Sequence, residues 1–232
     1  MLKPSKIIAI GLNYYDHARE LKMPVPDHPI MFMKPASSVI KNDGSIIYPR
    51  QSKNVHYEGE LAIVIGRKAR NISKPAAGKY IKGYTCANDI TARDIQNIDG
   101  QWTRAKSFDT FCPLGPKVTK EIDPENLNIR TIVNGKIKQN SNTKNMIFDV
   151  FELVSFVSSV MTLLPGDVII TGTPPGVGPL SVGDTVEVEI EGVGTLRNNV
   201  IADPHPVPTL RRDTPLHKME RGMNPAIGRR KG

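Results

Sequence analysis

The chain has 232 residues, 39% of them hydrophobic and 23% charged with mixed signs, which excludes a disordered composition and leaves ample length for one well-packed domain. Its 31 Lys and Arg against 23 Asp and Glu give a formal charge of +8. Residues 203–232 hold seven of those basic residues and three of the acidic ones, leaving 24 against 20 elsewhere, so half of the excess lies in a Pro- and Arg-rich terminal stretch and not in a nucleic-acid-binding stripe.

In chain order, residues 6–13 (KIIAIGLN) are rich in branched side chains and read as a first strand. Residues 13–21 follow with helix-like composition, up to the Pro24/Pro26 break. A buried strand leading into a loop is expected over 30–40 and the clearest core strand over 57–66 (YEGELAIVIG). Another strand is expected over 81–90, running straight into a helical turn at 91–96. Asn134-Gly135 stands between two short apolar runs and predicts a hairpin within 129–139, because a type I′ turn needs positive φ at both central residues. Ile147, Val150, Phe151, Val154, Val157 and Met161 recur at helical spacing, which predicts a helix over 147–163 ended by Pro165-Gly166. Strands at 167–172 and 184–192 flank a glycine-rich TGTPPGVG, where Gly172, Gly176 and Gly178 are expected to permit tight turns and close backbone approach.

Many strands, few helices and no βαβ alternation imply a β-rich α+β fold, expected as a single catalytic domain over 1–202 with a basic tail over 203–232. No apolar run reaches the roughly 20 residues needed to span a bilayer, and the N-terminus has no signal-peptide pattern, so the expectation is a cytoplasmic protein with no membrane partner. Cys86 and Cys112 are expected as two unpaired thiols.

Glu58-Gly59-Glu60 carries the chemistry. On a strand the two carboxylates project to one side, with Cα atoms roughly 6.5–7 Å apart, while Gly59, Leu61, Ile63 and Ile65 face the other. Two such carboxylates beside an apolar strand stay ionised only with a compensating cation. Asp89 closes the next strand, and three hard oxygen donors without Cys or His suit Mg²⁺ or Mn²⁺. Read alone, Glu-Gly-Glu also fits a solvated strand face, Asp89 a helix N-cap, and the His17/Glu20 pair a surface pair. His56, on the same strand face, is expected to be structural, and the sequence leaves open whether Trp102 belongs to a substrate-side loop.

Six blocks taken in order, GLNYYDHARELKM (11–23), MFMKPASSVI (31–40), HYEGELAIVIG (56–66), GYTCANDITARDIQ (83–96), KSFDTFCPLGP (106–116) and the stretch 163–198, resemble the fumarylacetoacetate hydrolase superfamily. The closest likeness is to its acylpyruvase, oxaloacetate decarboxylase and hydroxyheptadienedioate isomerase branch. The resemblance implies a mixed β-roll, usually a homodimer, with a divalent metal at its mouth. It also implies Glu58, Glu60 and Asp89 as metal ligands, Lys106 beside the metal, and Arg93, Gln96 and Thr173 toward the substrate carboxylate, with His17 and Glu20 as an acid/base pair on a short lid helix.

The expected activity is metal-dependent C–C hydrolysis of a small 2-oxo acid, with oxaloacetate decarboxylation as a side activity. The alternative is isomerisation or decarboxylation of 2-hydroxyhepta-2,4-diene-1,7-dioate. A basic nucleic-acid-binding module is the competing reading from another class.

Overall fold

A computed structural model describes residues 2–204. The chain runs through β1 (Ile7–Gly11), α1 (Tyr15–Leu21), β2 (Ile30–Lys34), β3 (Val39–Ile40), β4 (Ser45–Tyr48), β5 (Val55–Tyr57) and β6 (Gly59–Ile65). It continues with β7 (Ile81–Asn88), β8 (Thr91–Ala92), α2 (Arg93–Asp99), α3 (Thr103–Lys106), β9 (Cys112–Thr119), β10 (Asn128–Val133) and β11 (Lys136–Asn142). The last elements are α4 (Val150–Val160), β12 (Val168–Ile170), β13 (Gly178–Pro179), β14 (Thr185–Ile190) and β15 (Gly194–Ala202).

Seven strands form a curled sheet in the order β2-β1-β12-β6-β7-β9-β3. Five more pair as β11-β10-β14-β15-β4, and a small third sheet joins β13, β5 and β8. Parallel pairs (β1 with β12, β15 with β4, β3 with β9) sit among antiparallel ones, so the roll is mixed as expected. No helix among the described residues is long and apolar enough to cross a membrane.

The strand alternation that places the acidic pair is visible in the core. Leu61, Ile63 and Ile65 pack with Ile129, Val188 and Ile190 of the five-stranded sheet and with Leu153, Val154 and Val157 of α4. Ala62 and Val64 turn the other way, into a second cluster with Ile7, Ala9, Val168 and Ile170. Both faces of β6 are therefore closed, which explains its unbroken apolar run. Gly59 is required by packing, since a Cβ there would lie 2.1 Å from Thr131 Oγ1 of the neighbouring sheet.

The hairpin turn is as expected, with φ of 50° at Asn134 and 73° at Gly135. Several boundaries move. The first strand stops at Gly11, before Leu12 at φ 48°. The stretch 30–40 divides at Pro35 into β2, a short 3₁₀ turn and β3. The long helix starts only at Val150, because Asp149 caps it by accepting from the Phe151 and Glu152 N–H groups. Glu58 interrupts the 57–66 strand, dividing β5 from β6. Strands β4, β9 and β15 went unrecognised in sequence; in β9 two prolines interrupt the apolar pattern. Of the expected tail, residues 205–232 lie outside the described part of the chain.

Candidate metal and substrate site

The β6–β7 register, Gly59 opposite Asn88 and Glu60 opposite Ala87, brings Asp89 alongside Glu58 and Glu60. Two hydrogen bonds lock the corner: Asp89 N donates to Glu58 O at 2.8 Å, and Glu58 N donates to the Asn88 side-chain oxygen Oδ1 at 2.9 Å. One carboxylate oxygen from each of Glu58, Glu60 and Asp89 lies within 4.8 Å of the others. The three residues are 7%, 1% and 1% exposed, so neither a solvated strand face nor an N-cap describes them. Asp89 caps nothing; α2 begins after Ala92 without a side-chain cap.

Protein cations already surround this cluster. Lys106 Nζ, itself buried, donates to Glu58 Oε2 at 2.9 Å and to Asp89 Oδ2 at 2.7 Å. Lys34, 1% exposed, pairs with the other Asp89 oxygen and donates to Ile90 O at 3.1 Å. Arg93 pairs with Glu58 and donates to Gln96 Oε1 at 2.6 Å. With all three carboxylates ionised, Lys34, Lys106 and Arg93 bring the formal charge of the cluster to zero. Among the described residues Glu60 has no such ion-pair partner; its Oε2 accepts from Gly172 N at 2.7 Å.

The proton affinities follow this division. Burial opposes ionisation of Glu58, but Lys106 and Arg93 more than offset it and hold its pKa at about 2. Burial, together with the charges of Asp89 and Glu58, pushes Glu60 well above the usual carboxylate range. Burial alone would lower Lys106, yet Asp89 and Glu58 keep it above the usual lysine value. A buried carboxylate crowded by two others, with all-oxygen donors around it, fits a hard divalent cation.

His17, 7% exposed, reaches the site from α1, and its Nδ1 lies 2.8 Å from Glu20 Oε2 one turn along the helix. Glu20 is anchored in turn by the Gly176 N–H at 3.1 Å, which ties α1 to the glycine-rich loop. Gly172 and Gly176 there have φ of 93°, as expected of tight turns; Gly178 is instead crowded by Tyr57, whose hydroxyl would lie 2.8 Å from a Cβ. The Thr173 hydroxyl donates to Gly59 O at 2.9 Å and accepts from Gln139 Nε2 at 2.8 Å. Gln139 also donates to Pro174 O at 2.7 Å, and its Oε1 accepts from Gly59 N at 2.9 Å and Thr131 Oγ1 at 2.6 Å.

A cavity of about 430 Å³ opens over this cluster. Of the nine residues singled out in the sequence, eight line it; Glu20 stands behind His17 instead. His56 does not line it: its Nε2 is 2.9 Å from Asn54 Oδ1, and burial, then Arg93, lowers its pKa. Trp102 does, packed edge-to-face on Phe32 with ring centroids 5.1 Å apart. Lys34 and Gln139 were missed as site residues. Lys34 had one signal, a lysine closing the apolar run IMFM, whereas Gln139 had none, since its partners are scattered along the chain.

The Fumarylacetoacetate (FAA) hydrolase C-terminal family model matches residues 6–201. The chain belongs to this fumarylacetoacetate hydrolase family. A family relative named oxaloacetate tautomerase Fahd2a, mitochondrial, from Rattus norvegicus is 47% identical over 86% of this chain and 67% of its own length. Among solved fumarylacetoacetate hydrolase folds, a 5-carboxymethyl-2-hydroxymuconate delta-isomerase from Mycobacterium smegmatis superposes with a TM-score of 0.83 at 48% identity, covering 88% of this chain and 81% of that one. The fumarylpyruvate hydrolase from Pseudomonas aeruginosa in complex with Mn²⁺ and pyruvate gives a TM-score of 0.81 at 33% identity, covering 86% and 91%. The family relatives are thus enzymes of hydrolase, isomerase and tautomerase type.

Proposed function

We propose that this protein is a divalent-metal-dependent hydrolase of acylpyruvates, with its catalytic domain spanning residues 1–202. The observation that carries this reading is the meeting, in one cavity, of the Glu58/Glu60/Asp89 cluster and the His17–Glu20 pair. A divalent cation held by the three carboxylates, Mg²⁺ or Mn²⁺, would supply Lewis-acid polarisation of the 2-oxo group.

The protein's own groups account for the rest. Gln96, its Oε1 engaged by Arg93, offers amide N–H donors to the substrate carboxylate, and Arg93 contributes positive charge. Thr173 lines the same cavity. Glu20 holds the His17 imidazole so that it can take a proton from water, an assistance typically worth on the order of 10²–10⁴-fold. The water oxygen bonds to the acyl carbon, the bond from that carbon to C3 breaks, and its electron pair remains on C3 as pyruvate enolate. Lys106 places fixed positive charge beside this developing anion. The proton held by His17 then returns to C3, and the products are a carboxylic acid and pyruvate.

A second reading, enol–keto conversion of oxaloacetate, is favoured by the 47% identity to the rat tautomerase. It uses the same residues: the enol O–H proton at C2 is lost as a proton is delivered to C3 by His17, or the reverse, and no carbon–carbon bond is broken. Turnover of acetylpyruvate and of oxaloacetate, each with Mg²⁺, Mn²⁺ or EDTA, separates the two. Metal-dependent pyruvate release from acetylpyruvate, lost in Glu58→Ala/Glu60→Ala and in His17→Ala, is expected. Metal-dependent conversion of oxaloacetate without acetylpyruvate cleavage would overturn hydrolysis in favour of the second reading.

A further inference from the structure

Beside the carboxylate cluster and the Asn97 amide, much of the cavity lining is an apolar wall that comes from four separate segments: Ile10 of β1, Leu21 and Met23 at the end of α1 and just past it, Ile30 and Phe32 of β2, and Trp102 before α3. The wall is built closely around the indole, since a Cβ at Gly11 would come within 2.9 Å of Trp102. Leu21, Met23 and Ile30 remain 46%, 49% and 37% exposed, large apolar side chains without full cover.

Charge is distributed just as unevenly. The cationic and imidazole groups lining the cavity are each already engaged by the protein's own acids and amides: Lys106 between Glu58 and Asp89, Arg93 with Glu58 and Gln96, His17 with Glu20. Lys106 Nζ lies 5.0 Å from the Phe32 ring centroid but is already held by Glu58 and Asp89, and Ile10, Leu21, Met23, Ile30 and Trp102 add no charged group. A second carboxylate laid against this wall would lose its hydration with no partner to replace it.

We propose that the cavity selects 2-oxo acids whose far end is uncharged and apolar, so that the preferred acylpyruvate carries an alkyl or aryl acyl group and not a second carboxylate. This rests on the reading of the Glu58/Glu60/Asp89 end as the 2-oxo acid site. Each methylene buried on the wall is worth about fourfold in affinity.

The test is calorimetric titration of the Mn²⁺-loaded protein with oxalate, pyruvate, 2-oxohexanoate and 2-oxoadipate. The last two have equal chain lengths and differ in ending on a methyl or a carboxylate. We expect 2-oxohexanoate to bind at least tenfold tighter than pyruvate and 2-oxoadipate no tighter than pyruvate. In Trp102→Ala the ratio of 2-oxohexanoate to oxalate affinity falls at least fivefold. Oxalate that binds normally while 2-oxoadipate matches or exceeds 2-oxohexanoate overturns the apolar selection alone. Failure of oxalate to bind overturns the 2-oxo acid site and this selection with it.

Discussion

Lys34 and Lys106 hold opposite oxygens of Asp89, so a single buried carboxylate is clamped between two buried ammonium groups. Lys34→Met removes one of them. Breaking a buried pair leaves an uncompensated charge, at a typical cost of about 3–5 kcal/mol. The metal-free variant is therefore expected to unfold at a lower denaturant concentration. Its site is also one positive charge poorer, so Mn²⁺ should bind more tightly than to wild type. Weaker Mn²⁺ binding in a folded Lys34→Met protein would contradict this account of the clamp.

Among the described residues Glu60 is the one carboxylate of the three in no ion pair, so it has most to gain from a bound cation. Glu60→Gln keeps the shape and the acceptor for the Gly172 N–H. The metal-free melting temperature should stay within a few degrees of wild type, while the thermal stabilisation produced by saturating Mn²⁺ is lost. Full retention of that stabilisation would move the metal away from the triad.

Gln139 spends all four of its hydrogen bonds joining the Gly59 strand to the Thr173–Pro174 loop. Gln139→Leu, similar in volume, strands Gly59 N and the Thr131 hydroxyl, each at about 1–3 kcal/mol. Because Gly59 lies between two of the carboxylates, Mn²⁺ affinity is expected to drop together with stability. A variant that loses stability but binds Mn²⁺ as before would confine Gln139 to packing.

Asp167 ties the start of the chain to the turn before β12. It accepts from Ser5 Oγ at 2.6 Å and Leu164 N at 2.8 Å, and pairs with Lys6. Burial opposes its ionisation, but the bonds from Lys6 and Ser5 more than offset this and hold its carboxyl below the usual aspartate range. A depressed folded-state pKa contributes stability that is present above the unfolded value, about 3.9, and is lost as pH falls through the folded value. Asp167→Asn should therefore cost about 1–3 kcal/mol at neutral pH. Urea titrations at pH 7 and pH 3 are expected to show that difference shrinking at the acid end; a constant difference would mean that the carboxylate charge contributes nothing.

Cys86 and Cys112 are free and buried, and burial pushes both thiols up to about 12. Neither should react with a thiol-specific disulfide reagent at pH 8 until denaturant is added, when two equivalents appear. Rapid labelling of the native protein would contradict the packing of β7 and β9 around them.

Much of the site was legible because its residues are close in sequence to their structural cause. Glu58 and Glu60 are two apart at the edge of a long apolar strand, Asp89 ends the strand that pairs with it, and His17 and Glu20 lie one helical turn apart. Boundaries were less legible where one side chain decides them: Pro35 divides a strand, and Asp149 delays the helix that Ile147 seemed to open. Lys34 left only a faint trace, a lysine at the end of an apolar run, and Gln139 left none, because their roles depend on partners from distant segments. Asp89 is 55 residues from Lys34, and Gly59 is 80 from Gln139.

The neutral balance of three carboxylates against Lys34, Lys106 and Arg93 has a thermodynamic consequence. With its three carboxylates ionised the cluster is neutral and has no net attraction for an anion; a divalent cation held by them would make it doubly positive, matching the double negative charge of a pyruvate enolate. Cation and 2-oxo acid should thus bind with positive heterotropic cooperativity, each raising the affinity of the other by the same factor. The protein would then respond to the product of the two concentrations, idling whenever either is scarce.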